Sequence, residues 1–236
     1  VAASLELFNI PRYVSVPLSA GAVWLLVTRG SYRSVERIFL VFSLLYLSYV
    51  ISGFIAGPDW GEVARSAIHP TIRWEPTFLI TLLALVGTTI TPWGQFFVQS
   101  YVVDKGVSKE EYPVTRWEVY FGAFITDIIS LFIIVCTAAT LHSQNIQIDD
   151  ASQAALALGP LAGPLALQLF AVGLLNASLL GAAVVPLSTA YAVCEAFGWE
   201  AGVSRSFRDA PWFNGLYTFS IASGALAVLI PGVPLI

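Results

Sequence analysis

Long apolar segments alternate with short polar segments along the 236-residue chain. Most of the apolar segments approach or exceed the roughly 20 residues that a helix needs to cross the ~30 Å hydrocarbon core of a bilayer. The pattern predicts an all-α fold, a polytopic bundle of transmembrane helices that forms a single domain. Segment 161–194 is expected to be interrupted at Gly173, Gly181 and Pro186. The predicted spans are residues 1–10 (a partial helix), 13–28, 38–57, 77–103, 119–141, 161–194 and 212–236.

The composition supports a membrane protein and excludes several other classes. Hydrophobic residues make up 57% of the chain and charged residues only 11%, against roughly 25% charged residues in a soluble domain. A soluble fold cannot cover that much apolar surface with a polar coat. An ordinary soluble enzyme, a disordered chain and a nucleic-acid-binding protein are therefore excluded. Because methionine is absent and both ends lie in apolar sequence, we expect a fragment of a longer protein.

The positions of the basic residues predict the sidedness of the loops. Eight of the 11 Lys and Arg residues fall in the loops 29–37, 104–118 and 195–211. Cytoplasmic loops carry an excess of Lys and Arg, so these three loops are predicted to be cytoplasmic. We expect an integral membrane protein of a prokaryotic plasma membrane, with the lipid bilayer as its surroundings.

Segment 77–103 contains a candidate helix break. Pro92 lacks a backbone N–H group and clashes with the preceding turn of a helix, and Gly87 and Gly94 flank it. A helix in lipid breaks only where the freed carbonyl groups line a cavity or meet protein partners. Broken helices near the membrane midplane form the ion sites of many transporters.

Three threonine hydroxyl groups lie in the same stretch and leave two interpretations open. The first interpretation is a cation site over residues 88–91. The second is a proline kink in which the threonines bond back to their own helix. The three residues are Thr88, Thr89 and Thr91.

Other polar side chains are candidates for the pathway of a transported ion. Gln95 and Gln99 are four residues apart and share a helix face, where they hold the water shell of an ion or bond to neighbouring helices. Asp127 lies within a predicted span, where an ionised carboxyl group is costly unless it faces protein or water. The alternative for Asp127 is a protonated or hydrogen-bonded structural acid. Glu195 lines a cytoplasmic vestibule or lies at the membrane interface.

No pattern in the chain indicates catalysis. Cys136 and Cys194 lie in apolar segments and give neither a disulfide framework nor the spacing of a metal cluster. The spans contain no nucleophile triad, phosphate-binding loop or metalloprotease motif. We therefore predict that the protein is not an enzyme and has no cofactor, and we infer no protein partner.

Residues 87–106 resemble the sixth transmembrane helix of the NRAMP divalent metal transporters, and more closely that of their magnesium-transporting relatives. They read Gly-Thr-Thr-Ile-Thr-Pro-Trp-Gly-Gln-Phe-Phe-Val-Gln-Ser-Tyr-Val-Val-Asp-Lys-Gly. Residues 167–178 and 186–198 resemble the eighth helix of that branch. The resemblance covers nearly the whole chain, from the end of the third helix through the ninth. It implies a LeuT-like fold with two inverted five-helix repeats and broken first and sixth helices.

The departures from the NRAMP pattern imply a particular metal. Transition-metal members carry Ala-x-x-Met-Pro-His on the sixth helix, and the alignment places Thr88 at the Ala, Thr91 at the Met and Trp93 at the His. A thioether selects soft transition metals, whereas Mg²⁺ prefers hard oxygen ligands. The family's histidine pair on this helix is associated with proton coupling, and Trp93 and Val98 occupy its positions. The resemblance therefore implies transport of Mg²⁺ without proton coupling, unless Trp93 only packs.

The combined prediction is Mg²⁺ uptake by alternating access. The metal ligands are predicted to be Thr88 and Thr91, together with an acid from a first helix that lies outside the chain. Two alternatives stay open: a proton-coupled Mn²⁺/Fe²⁺ transporter of the ordinary NRAMP type, and a LeuT-fold carrier of an organic solute or a membrane scaffold without transport. The predicted pathway or hydration-shell residues are Thr89, Trp93, Gln95, Gln99 and Asp127.

Overall fold

The computed structural model describes residues 1–29, 40–41, 43–69, 71–141, 151–203 and 205–230. These residues form helices, turns and loops but no strand, which confirms the predicted all-α transmembrane bundle. The α-helices are α1 (Ala2–Glu6), α2 (Arg12–Arg29), α3 (Leu47–Ile55), α4 (Trp60–Ile68), α5 (Pro76–Thr89), α6 (Pro92–Asp104), α7 (Tyr112–Thr140), α8 (Ala151–Ala155), α9 (Gly159–Ala162), α10 (Ala166–Phe197) and α11 (Pro211–Leu229). Short 3₁₀ turns lie at Leu44–Tyr46, Leu156–Leu158 and Gly163–Leu165.

Four segments within the described residues are long and apolar enough to cross a membrane. A shorter apolar helix runs over Leu44–Ile55. Helix α2 is not among the four, so the span 13–28 stays a prediction. The four segments are Pro76–Asp104, Tyr112–Thr140, Gly163–Phe197 and Pro211–Leu229.

Helix α7 begins at Tyr112, well before the predicted start at residue 119. A proline occupies the first turn, where its missing N–H group leaves no helical bond unmade. In the preceding loop, the amide and the hydroxyl of Ser108 donate to the Glu111 carboxylate at 3.0 and 3.1 Å. These two bonds lower the pKa of Glu111. The apolar segment predicted from residue 119 therefore covers only part of a longer helix.

Helix α10 is continuous, and the expected interruptions at Gly173, Gly181 and Pro186 were wrong. A proline removes one helical hydrogen bond, but it breaks a helix only when nothing holds the two sides in line. Helix α10 packs against α2, α6 and α11. The helix therefore continues through Pro186 while packed against three neighbours, although one of its hydrogen bonds is missing.

The main core forms where α10 meets α11, α2 and α6. Trp24 on α2 donates its indole N–H to the Thr218 hydroxyl on α11 at 2.8 Å. The ring of Phe97 on α6 packs 5.8 Å from that of Tyr191 on α10. The buried residues of this core are Leu187, Ala190, Tyr191, Cys194, Ala210, Phe213 and Tyr217.

A second contact region joins α3 to α7. The Ser52 hydroxyl on α3 donates to the Ala157 carbonyl at 3.2 Å, and the Cys136 thiol on α7 donates to the same oxygen at 2.8 Å. Cys136 and Cys194 are both buried free thiols, as their apolar surroundings predicted.

Candidate metal site at the broken helix

The helix that contains the predicted break is interrupted between Thr89 and Pro92. Helix α5 ends at Thr89, and Ile90 has φ −111° and ψ 72°, outside the helical range. The amide of Ile90 donates the last bond of α5, to the Val86 carbonyl at 2.9 Å. The interruption therefore lies inside the region 87–94 that the sequence indicated.

Helix α6 begins directly after the interruption. The Thr91 carbonyl accepts bonds from the amides of Gly94 and Gln95 at 3.1 and 3.4 Å. Pro92 has no N–H group, so even a continuous helix would leave the Thr88 carbonyl without its usual donor. The covalent structure of the chain thus frees a carbonyl oxygen at the break.

The three threonine hydroxyl groups at the break have different surroundings. Those of Thr88 and Thr89 each donate to the Leu85 carbonyl at 2.9 Å. For these two hydroxyls the structure follows the second interpretation, in which threonines bond back to their own helix. The Thr91 hydroxyl has no hydrogen-bond partner among the described residues. A Cβ atom at Gly94 would lie 2.9 Å from that hydroxyl, so the glycine keeps space beside it.

The remaining predicted site residues are spread over three helices. Gln95 and Gln99 are exposed on α6, and Asp127 is exposed on α7. No hydrogen bond or ion pair within the described part of the chain joins these side chains to the break. Gly87 is exposed within α5. The Trp93 side chain lies outside the described residues, and the pathway role of Asp127 stays a prediction.

The break has open surroundings in this chain. Helix α5 has no buried residue, and Thr91 is half-buried whereas Thr88 is exposed. No group of three or more His, Cys, Asp or Glu side chains within the described ranges is placed to hold a metal ion. Within the described chain, the break therefore presents backbone and hydroxyl oxygens and no cluster of acidic, histidine or cysteine side chains.

Two side-chain hydrogen bonds fasten α6 to α10. The Ser100 hydroxyl donates to the Glu195 carboxylate at 2.6 Å. The Tyr191 hydroxyl donates to the Asp104 carboxylate at 2.8 Å, and the Val203 amide donates to the Tyr191 oxygen at 3.1 Å. The half-helix after the break is thus tied to the core, whereas the half-helix before it buries no residue.

Asp104 and Tyr191 were not recognised from the sequence as partners, although a signal for them exists. Ser100 and Asp104 are four residues apart on α6, and Tyr191 and Glu195 are four residues apart on α10. Residues at this spacing share a helix face. Two matched polar pairs near the ends of two apolar helices therefore indicate a contact between those helices.

The whole chain, residues 1–236, matches the family model Nramp, described as natural resistance-associated macrophage protein-like. The chain belongs to the NRAMP family. Membership agrees with the resemblance noted in residues 87–106, 167–178 and 186–198. Together with the four membrane-length segments, it identifies this NRAMP chain as an integral membrane protein.

Known relatives of this NRAMP chain include bacterial and eukaryotic proteins. A divalent metal cation transporter MntH of Caldanaerobacter subterraneus subsp. tengcongensis is 25% identical over 75% of this chain and 44% of the relative. A protein of the same name from Bacillus subtilis is 25% identical over 77% and 45%. The natural resistance-associated macrophage protein 2 homolog of Dictyostelium discoideum is 24% identical over 96% and 36%.

The alignments cover less than half the length of each of these curated relatives. Two of the three are named as transporters of divalent metal cations, and none is named as an enzyme. This agrees with the prediction that the NRAMP chain is not an enzyme.

Proposed function

We propose that this NRAMP chain forms part of a divalent metal cation transporter that binds the metal at the break between α5 and α6. The interruption at Ile90 and Thr91, inside a segment of membrane-spanning length, carries the proposal. An unpaired backbone carbonyl costs several kcal/mol in hydrocarbon. A cation bound to the freed oxygens offsets that cost and gives the break a function.

The oxygen atoms at the break support a hard cation. The Thr88 carbonyl has lost its usual donor, and the Thr91 hydroxyl has no partner within the described residues. The chain contains no methionine, and Cys136 and Cys194 are buried elsewhere in the bundle. Mg²⁺ prefers oxygen ligands and keeps several of its waters. We therefore propose Mg²⁺ as the substrate, with further ligands from the rest of the transporter.

The exposed amides on α6 suit a partly hydrated ion. Gln95 and Gln99 lie on the half-helix that follows the break, and both side chains are exposed. Their amide groups both donate and accept hydrogen bonds, so they match the mixed orientations of waters around a cation. We propose that they hold the hydration shell rather than the metal itself.

We further propose that the membrane potential drives transport without a coupled proton. The positions at which the resemblance places a histidine pair hold Trp93 and Val98. Neither side chain titrates near neutral pH. An inside-negative potential favours entry of a dication by about 4.6 kcal/mol per 100 mV, twice the value for a single charge. That driving force accumulates Mg²⁺ without proton flow.

The first experiment measures Mg²⁺ and Mn²⁺ uptake by the complete transporter in liposomes while a pH dye reports the interior. We expect Mg²⁺ entry that responds to an imposed potential and leaves the internal pH unchanged. Mn²⁺-selective entry with acidification would instead support the proton-coupled Mn²⁺/Fe²⁺ alternative.

A pair of threonine variants tests the site itself. We expect Thr91→Ala to lower Mg²⁺ uptake by about tenfold, the effect of losing about 1.4 kcal/mol. Thr81→Ala is the matched control, because Thr81 lies on α5 and its hydroxyl donates to the Thr77 carbonyl at 2.9 Å. We expect Thr91→Met to shift the preference towards Mn²⁺. Equal losses in Thr91→Ala and Thr81→Ala would contradict a site at the break.

A further inference from the structure

The loop between α3 and α5 contains a short, well-capped helix. Helix α4 follows Asp59, whose carboxylate accepts bonds from the amides of Gly61 and Glu62 at 2.8 and 3.2 Å. Such an N-cap satisfies amides that have no partner within the helix. With nine residues, α4 is about 13 Å long, far short of the ~30 Å hydrocarbon core. It is therefore too short to cross the membrane.

Helix α4 has one apolar face and one polar face. Its apolar residues recur at the spacing i, i+3, i+4, i+7 and i+8, which places them on one side of a helix. They are Trp60, Val63, Ala64, Ala67 and Ile68. The opposite side carries Gly61, Glu62, Arg65 and Ser66. No residue of α4 is buried, and Ile68 is 73% exposed, so the described chain leaves the apolar face uncovered.

The Trp60 ring on this face packs against aromatic rings of α3 and α7. Its ring lies 5.1 Å from that of Phe54, at the end of α3, and 5.9 Å from that of Phe132 on α7. Phe54 is itself 60% exposed. The apolar face of α4 is thus continuous with an exposed aromatic surface at the end of α3.

The segment between α4 and α5 also carries exposed apolar side chains. Ile72 is 61% exposed and Trp74 is 84% exposed, and both precede Pro76, where α5 begins. Tryptophan is enriched at membrane–water interfaces because its ring is amphipathic. Arg65 and Arg73 add guanidinium groups that pair with phosphate, the group that lipid headgroups carry.

We propose that α4 lies along the membrane surface, with its apolar face in the boundary between headgroups and acyl chains. Its partner is the lipid bilayer itself. Amphipathic helices bind in this way when one face is apolar and the other carries charge. Helix α5 follows this segment and buries no residue in the described chain. Anchoring α4 fixes the start of the half-helix that leads to the break.

Spin labels on the two faces of α4 test the proposal in the complete protein, reconstituted in liposomes of phosphatidylcholine and phosphatidylglycerol. Ala64→Cys and Ser66→Cys place labels two residues apart on opposite faces. Oxygen concentrates in lipid, and a water-soluble nickel chelate stays outside it. We expect the ratio of oxygen to nickel collisions to be several-fold higher at residue 64 than at residue 66. The protein without an introduced cysteine is the labelling control, because Cys136 and Cys194 are both 0% exposed.

Adding Ile68→Asp to the Ala64→Cys protein supplies a second test. The substitution charges the apolar face at an exposed position, so it leaves the core intact. We expect nickel collisions at residue 64 to increase several-fold because the helix leaves the lipid. Equal nickel access at residues 64 and 66 would overturn the proposal, since the helix would then lie in water. Exclusion of both reagents from residue 64 would also overturn it, because a protein segment would then cover the face.

Discussion

The Tyr191 hydroxyl on α10 donates a 2.8 Å hydrogen bond to the Asp104 carboxylate at the end of α6. Tyr191 is only 4% exposed. Its ring packs 4.7 Å from that of Phe213 and 5.8 Å from that of Phe97. Because a buried hydroxyl donates to a charged group, this bond belongs to the stronger class of protein hydrogen bonds. It joins the half-helix after the break to the longest helix of the bundle.

We expect Tyr191→Phe to destabilise the protein by about 1.5–3 kcal/mol, the range for a hydrogen bond to a charged group. The ring contacts with Phe97 and Phe213 remain, but among the described residues Asp104 keeps only the Val203 amide at 3.4 Å. Thermal unfolding in detergent measures the effect as a lower apparent Tm. Tyr120→Phe is the control, because Tyr120 is 55% exposed on α7.

A double-mutant cycle separates the bond from other effects of the substitution. If the two groups act through their mutual bond, Asp104→Asn should cost much less in the Tyr191→Phe protein than in the original protein. Additive losses would show that the 2.8 Å contact contributes nothing to the link between α6 and α10.

The end of α10 predicts a specific requirement for glycine. Gly198 has φ 68°, and its amide donates to the Glu195 carbonyl at 3.2 Å, while the Trp199 amide donates to the Cys194 carbonyl at 2.8 Å. These bonds form a Schellman motif, which needs a left-handed residue after the helix. No atom within 4 Å would contact an added Cβ, so the penalty is purely conformational.

We expect Gly198→Ala to cost about 1–2 kcal/mol of stability. Gly181→Ala is the matched control on the same helix, because it also has open space around an added Cβ but lies in the helical interior. There alanine is favoured over glycine by roughly 0.5–1 kcal/mol. Chemical unfolding should therefore show a lower free energy of unfolding for Gly198→Ala and a higher one for Gly181→Ala. A lower free energy of unfolding for Gly181→Ala alone would contradict the argument.

The contact between α3 and α7 predicts a steric requirement. A Cβ at Gly53 would lie 2.8 Å from Cδ1 of Phe132, closer than such atoms approach. We expect Gly53→Ala to cost about 1–3 kcal/mol through overpacking. Gly122→Ala on α7 is the control, since nothing lies within 4 Å of its added Cβ. Phe132→Leu in the Gly53→Ala protein should restore part of the lost stability if the clash is the cause.

The sequence predicted the class of fold because each span is a local pattern of apolar residues. The break was also predictable, since Pro92 removes a helical bond wherever it lies within a helix. The continuity of α10 through Pro186 was not predictable from local sequence, because it depends on packing against α2, α6 and α11. Local chemistry marks where a helix is weak, and tertiary contacts decide whether it breaks there.

The sequence pointed to the residues at the break, but it did not predict which hydrogen bonds their side chains make. The sequence analysis predicted Thr88 and Thr91 as metal ligands and Thr89 as a pathway residue. The structure instead uses the hydroxyls of Thr88 and Thr89 within α5 and leaves that of Thr91 without a partner in the described ranges. The bond between Tyr191 and Asp104 joins residues 87 positions apart. Only the folded chain brings such groups together.

The proline at the break predicts a difference between two chemically identical substitutions. Pro92 begins α6 and Pro76 begins α5, and proline is favoured at the start of a helix because its N–H group has no partner there. We expect Pro92→Ala to lower Mg²⁺ uptake in the complete transporter by about tenfold. The new N–H group supplies the donor that the Thr88 carbonyl lacks, and α5 then continues into α6.

Pro76→Ala should leave uptake close to the original level, because it changes the same residue type at a helix start outside the break. Circular dichroism should show no loss of helix in either variant. Full Mg²⁺ uptake by Pro92→Ala would mean that the metal does not depend on the freed carbonyl.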